Sequence, residues 1–532
     1  MTNLSQTPPT DQKGSATTSP PSSPSLSPAV GLADLSAQKT PQKESTMNTI
    51  VGVMGNVLEW YDFALFGFFS DVIAQVFFAP EPEGANPNDN LTKSFVIFGS
   101  AFLMRPIGGL VIGYVGDKHG RKVALTRSLF LMAIPTTLMG CLPTYEQLGV
   151  FSTILLCLCR LVQGISVGGQ LPASLVYTVE KRPQSQWGYY GSLPMVAATV
   201  GTLLGNLCGA LMREILTPSQ LVSWGWRIPF FSGILIAVVA CYLQKYGTED
   251  SYAGVNNLDE NGEAMKSSSD FNENGELTVV KKHNPIKVAF RRGNRLALLS
   301  TSMAPMIWAS GFYVSFVWIA IFMTELMDPP ILHAFWINSM SLLFGMIFVL
   351  PVAGALSDRV GRTLMMTISG GLLIVMGPIC LMLISKGNPI AAFFSQLILG
   401  LLLSFYGGPL CAWLVENFSP EVRMTSASIG YDISHAIAGG FSPAIATALY
   451  TKFGVKAAGL VYVVFGSVSV AGIYINYCCG GNGSTNGKES DTMGETTTDT
   501  NNIADETVAN NNLESVVEMQ ETTTSSTSEG IV

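Results

Sequence analysis

The sequence predicts an all-α membrane protein: twelve transmembrane helices in two six-helix repeats, with both termini on the cytoplasmic side. Three observations carry this. Only 12% of the 532 residues are charged and 48% are hydrophobic, with a mean hydropathy of +0.37. A water-soluble chain of this length carries about 25% charge, so most of the surface here is expected to meet lipid. Twelve mostly apolar runs each reach the ~20 residues that a spanning helix needs. One short charged loop also occurs twice, in matching places of two apolar halves.

Taken in order, residues 1–46 are rich in Ser, Pro and Thr and carry no arginine. Such a stretch buries too little apolar area to fold. It reads as a disordered cytoplasmic tail, with neither a secretory signal nor a mitochondrial presequence expected. Residues 47–246 make the first half, with runs at 50–78, 91–115, 123–142, 149–180, 187–212 and 224–246. A polar cytoplasmic loop follows at 247–294, acidic first and then basic in KKHNPIKVAFRRGNR. The basic stretch reads as a topological anchor, with anionic-lipid binding as the sharper alternative. Residues 295–479 hold the second half, with runs at 296–327, 331–356, 363–384, 389–416, 424–451 and 455–478. The remainder, 480–532, is acidic, rich in Thr, Asn and Ser, and reads as a second disordered cytoplasmic tail.

The repeated loop is GYVGDKHGRK in the first half and GALSDRVGR in the second. Gly113, Asp117, Lys118, Gly120 and Arg121 of the first copy match Gly354, Asp358, Arg359, Gly361 and Arg362 of the second. Glycines let helix ends turn sharply and approach closely. The Asp and basic residues form a charge cluster able to pair with neighbouring helix ends at the membrane surface. A basic loop that merely holds topology would not need to recur at equivalent places. A second repeat agrees: RLVQG at Arg160–Gly164 aligns with QLILG at Gln396–Gly400, and the same offset carries Glu180 onto Glu416. Within the fifth run, Gly201, Gly205 and Gly209 form a small-residue ridge for close helix packing.

Basic residues set the orientation. With both termini inside, the cytoplasmic short loops take Lys118, Arg121, Lys122, Arg127, Lys181, Arg182, Arg359, Arg362 and Arg423. The opposite face has Lys93, Arg213, Lys386, Lys452 and Lys456, with Arg227 near its edge.

Ionisable residues deep in a span cost about 2.5–3.5 kcal/mol each on insertion scales, so they pair with one another or line an aqueous cavity. Glu59 and Asp62 stand i,i+3 on the first run, Arg105 on the second, Arg160 on the fourth, and Asp432 with His435 on the eleventh. At about 1.5 Å per residue, Glu59, Arg105, Arg160 and Asp432 fall near mid-membrane. One reading is internal ion pairs, such as Glu59 or Asp62 with Arg105, that lock helices together. The other is a shared cavity where carboxylates exchange a proton and arginines meet an anionic substrate group. Burial disfavours an ionised carboxylate and a nearby arginine favours it, so filling such a site changes its proton affinity. His435 is either a hydrogen-bonded packing residue or part of a proton relay.

Several classes are excluded. Four histidines, none at metal-ligand spacing, leave no metal centre to expect. No G-x-x-x-x-G-K-[ST] loop or catalytic constellation is present, so neither an enzyme, a cofactor nor a nucleic-acid partner is expected. The nine cysteines show no paired spacing and read as packing residues. Trp60, Tyr61, Trp318, Trp336 and Tyr406 read mostly as packing or interfacial residues, with a quaternary-ammonium cage as the alternative.

The loop pattern G-x-x-x-D-[RK]-x-G-[RK] resembles the signature of the major facilitator superfamily. GNVLEWYDFALFG, RPIGG, SVGGQ, WGWRIPFF and YDISHAIAGGFSPAIATAL, in that order, resemble its metabolite:proton symporter family over about Met47–Tyr477. That resemblance implies charged functional positions at Glu59, Asp62 and Arg105, and a gating loop at Asp117 and Arg121. The chain departs from the family pattern in three places. Gln170 stands where glutamate is usual, Asp432 where asparagine is common, and Trp187 where arginine is common. No heptad repeat follows the twelfth run, so the coiled coil of osmosensing betaine carriers is missing.

These readings lead to a secondary active transporter working by alternating access: a proton-coupled symporter of a small organic acid or zwitterionic osmolyte. The expected partners are that solute, protons and the lipid bilayer; the expected state is a monomer in the plasma membrane. The alternatives are a non-transporting sensor with a transporter fold, a uniporter, or a sodium-coupled carrier.

Overall fold

A computed structural model describes residues 46–81, 86, 88–119, 121–168, 178–179, 182–246, 290, 294–418 and 423–479. The expected tails and most of the central loop lie outside these residues, as do Gln170, Gly120 and Glu180 and the side chains of Asp117, Lys118 and Arg121 beside Gly113.

All regular structure among the described residues is helical. The long helices are α1 (Thr46–Phe68), α2 (Asp89–Ile112), α3 (Val123–Cys141), α4 (Val150–Val167), α5 (Gln184–Ile215) and α6 (Pro218–Tyr242). The second half holds α7 (Arg295–Leu326), α8 (Ala334–Val360), α9 (Arg362–Ile384), α10 (Pro389–Glu416) and α12 (Val455–Cys478). Between the last two, α11 runs as Arg423–Ser434, a π-helical turn His435–Gly439, and Ser442–Phe453. Ten of these helices, all but α1 and α11, are long and apolar enough to cross a membrane among the described residues, against the twelve that hydropathy predicts.

The second half's α7 occupies the centre. Its apolar window is 100% buried, whereas the other candidate spans keep 39–56% of theirs inside. From Leu296 to Thr324 it carries no charged residue, as expected of a helix that is apolar all round and packed on every side. The others turn an apolar face outward, where lipid replaces the core as their partner.

Close backbone approaches fix the helix pairs. A Cβ on Gly201 of α5 would lie 2.4 Å from the Val57 carbonyl oxygen, so α1 rests directly on the predicted glycine ridge. A Cβ on Gly168, just past α4, would lie 2.0 Å from the Arg105 carbonyl oxygen, which seats Arg105 against α4. The two halves meet where α5 packs on α8 and α10, α2 packs on α11, and α1 touches α7.

Candidate functional site at the interface of the halves

On α2, regular helix breaks at Met104 and resumes at Arg105. Arg105 leaves this break toward α11, where its Nε lies 3.4 Å from Asp432 Oδ1. Both residues are at most 2% exposed, and the approach is too poorly aligned to count as a hydrogen bond. The guanidinium lies over the rings of Phe102 at 5.6 Å and Tyr431 at 5.9 Å. Glu59 of α1 lines the same cleft with Trp60, Phe63, Arg105 and Val167. Neither Glu59 carboxylate oxygen has a hydrogen-bond partner, nor do Arg105 Nε and Nη2 or Asp432 Oδ1. Buried polar atoms are nearly always paired; here those of Glu59 and Arg105 line one hollow, and Asp432 approaches Arg105 from α11.

Next to it, a small hollow with room for about one water is lined by Trp60, Met195, Thr199, Trp308, Phe312 and Tyr313, with His435 at its wall. Trp60 and Phe312 meet edge to face at 6.4 Å, and Trp308 and Phe312 at 5.7 Å. The Trp60 indole nitrogen and the Tyr313 hydroxyl lack partners. His435 stacks on Tyr431 at 3.9 Å, and its Nδ1 lies 3.0 Å from the Tyr431 carbonyl oxygen one helical turn back.

A second cluster joins α1, α3 and α4. Asp62 Oδ2 accepts from Gln163 Nε2 at 2.8 Å, and Gln163 Oε1 accepts from Arg160 Nη1 at 2.9 Å. Gln163 Nε2 also donates to Thr136 Oγ1 at 2.8 Å. Arg160 is fully buried among Phe63, Phe66 and Phe98, with ring centroids at 4.6, 4.4 and 5.4 Å. It therefore faces rings, an amide and, at 3.3 Å, the Phe98 carbonyl, and lines neither of the hollows above.

Side-chain contacts cross the interface near both of its ends. At one end Asp358 accepts the backbone N–H groups of Gly188 and Tyr189 at the start of α5, at 2.8 and 3.0 Å. Arg362 bonds Asp358 at 2.7 Å, Glu416, and the Gln184 carbonyl at 2.9 Å. Arg359 is exposed, and Gly361 makes the α8–α9 turn at φ 103°, a conformation that favours glycine. At the other end Arg213 of α5 holds Asp71 at 2.8 and 2.9 Å and lies over Phe335 of α8 at 4.2 Å. Glu214 meets His333 at 3.1 Å.

Between this end and the centre lies a chain of buried amides. Asn206 of α5 donates to the Phe335 carbonyl at 2.8 Å and to Ser339 Oγ at 2.6 Å. Asn338 donates to Asn206 Oδ1 and to the Phe316 carbonyl, both at 2.9 Å. Gln396 donates to Asn338 Oδ1 and to the Ser315 carbonyl, again both at 2.9 Å.

The structure thus sets Glu59 and Arg105 on one hollow and His435 on the next, with Asp432 against Arg105, and sets Asp62 and Arg160 in a neighbouring cluster. The Asp358, Arg362 and Glu416 cluster lies at one end. Gln163, Asn206, Asn338 and Gln396 were missed, since uncharged amides in apolar runs raise no hydropathy alarm. The available signals were the i,i+3 spacing of Gln163 from Arg160 and the place of Gln396 opposite Arg160 in the internal repeat. Among the described residues no group of His, Cys, Asp or Glu could hold a metal ion.

The profile of the family described as "Sugar (and other) transporter" matches residues 48–480. The chain is 32% identical over 423 residues to the alpha-ketoglutarate permease of Escherichia coli, covering 79% of this chain and 90% of that one. It is 30% identical over 417 residues to the citrate-proton symporter of Klebsiella pneumoniae, covering 78% and 87%. A solved D-xylose-proton symporter superposes with a TM-score of 0.59 over 80% of this chain and 96% of its own, at 18% identity; that likeness speaks to the fold alone. Extensive sequence identity with carriers, on a helical fold shared with a further one, makes this chain an integral multi-pass membrane transporter of the sugar (and other) transporter family, within the major facilitator superfamily.

Proposed function

We propose that the protein is a proton-coupled symporter of a small organic acid, working by alternating access. One observation carries the reading: the two unpartnered Glu59 oxygens share a dry hollow with Arg105, whose unpartnered Nε lies 3.4 Å from the unpartnered Asp432 Oδ1 of the other half. Arg105 has a guanidinium fork suited to a carboxylate, and among the described residues the ion pair it makes, with Asp432, is imperfectly aligned. A substrate carboxylate competes with Asp432 for that fork. A proton on Glu59 or Asp432 then removes a charge that nothing nearby hydrogen-bonds, so substrate and proton favour each other's binding. The contacts at both ends correspond to the occluded step, when both ligands are shielded from either solution.

In this reading α1 and α11 complete twelve spans, both termini face the cytoplasm by the distribution of basic residues, and the Asp358 cluster is the cytoplasmic gate. Plasma-membrane residence, monomeric function and a cytoplasmic role for Asp117, Lys118, Arg121 and Glu180 belong to the same proposal. A zwitterionic osmolyte is the second reading, favoured by the aromatic lining of the adjoining cavity.

The test is uptake of radiolabelled 2-oxoglutarate, citrate and glycine betaine into proteoliposomes, with and without an inward proton gradient. Accumulation of a carboxylate that a protonophore abolishes supports the reading. Accumulation indifferent to the gradient, or driven only by sodium, overturns it; betaine accumulation alone shifts the reading to the osmolyte.

A further inference from the structure

The cluster around Asp62 contains a group that neither transports nor carries charge: Gln163. Its amide orientation is fixed by its neighbours. Arg160 only donates, and the Thr136 hydroxyl already donates to the Met132 carbonyl at 2.7 Å, so Thr136 Oγ1 accepts. Gln163 Oε1 must therefore face Arg160 and Nε2 must face Asp62 and Thr136, with both amide hydrogens in use. Consequently Asp62 and Arg160 are joined through the amide, and Asp62 Oδ2 is occupied by a donor. Asp62 Oδ1 has no partner.

This arrangement decides where a proton goes. On Oδ2 it would confront the Nε2 hydrogen; on Oδ1 it meets no donor and the existing bond survives. We propose that Gln163 is a positioning residue that directs the transported proton to Asp62 Oδ1 and promotes its release by donating to Oδ2. The idea rests on the proton-coupled reading above and adds Asp62 to Glu59 and Asp432 as a carrier of the proton. The charged and titratable groups that face Asp62 and its partners are Glu59 and Tyr61 on α1, Arg160 and Cys157 on α4, and Tyr313 on α7; α3 contributes the neutral Thr136 and α2 the Phe98 ring. Among them only Arg160 is cationic, and Gln163 alone bridges it to Asp62.

Replacing the bridge has a signed effect. Gln163→Met keeps the approximate shape but removes the donor that favours ionised Asp62, so the proton is held more tightly. Gln163→Glu removes the same donor and adds a second carboxylate, which strengthens the hold further. Gradient-driven uptake should then persist to higher external pH, by roughly one pH unit for Gln163→Glu and less for Gln163→Met. In an Asp62→Asn background neither substitution should move what pH dependence remains.

The measurement is the pH profile of uptake of the carboxylate found above in proteoliposomes, normalised to reconstituted protein. If Gln163→Glu fails to insert, Gln163→Met alone tests the direction. Profiles coinciding with that of the unmodified protein, or a uniform loss of rate with no shift, overturn the proposal. So does a shift that survives in the Asp62→Asn background. So does full gradient-driven accumulation by Asp62→Asn itself, whereas failure of the underlying reading looks different: uptake by the unmodified protein would then be indifferent to the proton gradient.

Discussion

Asp358 takes the backbone N–H of Gly188 at 2.8 Å, which ties the repeated loop of the second half to the first turn of α5 in the other. The carboxylate caps a helix N-terminus, where the unsatisfied N–H groups and the helix dipole both favour an anion. Arg362 holds it in place from one turn along the chain.

This cap predicts the behaviour of Asp358→Ala. Charge-assisted hydrogen bonds contribute roughly 1.5–3 kcal/mol each, so their loss should raise the population open on that side tenfold or more. A cysteine introduced at Thr199, in the central cavity, should react faster with a membrane-impermeant maleimide applied from the cytoplasmic side. An unchanged labelling rate would remove Asp358 from the gate.

The crossing of α5 and α8 beside that gate predicts a second outcome. A Cβ on Gly188 would lie 2.3 Å from the Gly354 carbonyl oxygen, and one on Gly354 would lie 2.4 Å from that of Gly188. Gly354→Leu cannot fit while the helices touch, so the closed end should be wedged open. Distances between spin labels on α5 and α8 at this end should lengthen, and net uptake should fall at least tenfold. Unaltered distances would show that the backbone accommodates the side chain without opening.

At the opposite end, Asn338→Ala deletes the middle of the amide chain between Asn206 and Gln396. It leaves Asn206 Oδ1 without its donor, at about 1–3 kcal/mol for a buried polar group. The outer side should open more readily, and the same Thr199 cysteine should label faster from outside. Faster labelling from the cytoplasmic side instead would contradict the assignment of this layer.

Sequence patterning revealed the elements that are costly to place in lipid. Glu59, Arg105 and Asp432 were legible because each charge within an apolar run demands a partner or a cavity. Asp358 and Arg362 were legible because their loop recurs. Which arginine serves the cleft was not legible: Arg160 and Arg105 look alike in sequence, and only the three rings around Arg160 and the break at Met104 beside Arg105 separate them. Nor did the pattern give the Arg105–Asp432 pairing in place of Glu59 or Asp62, since it depends on how α2 meets α11. Hydropathy counted α1 and α11 with the rest, although α11 is interrupted by a π-helical turn at His435–Gly439 and carries Asp432 and His435 inside.

Asp432→Asn tests the competition at Arg105. An amide is a weaker partner for the guanidinium than a carboxylate, so a substrate carboxylate should bind several-fold more tightly in thermal-shift titrations with 2-oxoglutarate or citrate. Accumulation against a gradient should nevertheless decline. Weaker binding would mean that Asp432 holds the substrate rather than its place.

The most direct test of the account is Glu59→Gln in proteoliposomes under an imposed proton gradient, with its melting temperature measured alongside. A neutral amide in this unpartnered position should leave the protein at least as stable as before. Gradient-driven accumulation of the carboxylate should disappear. Full, protonophore-sensitive accumulation by a stable Glu59→Gln protein would contradict the claim that the buried charges between the halves couple proton to substrate.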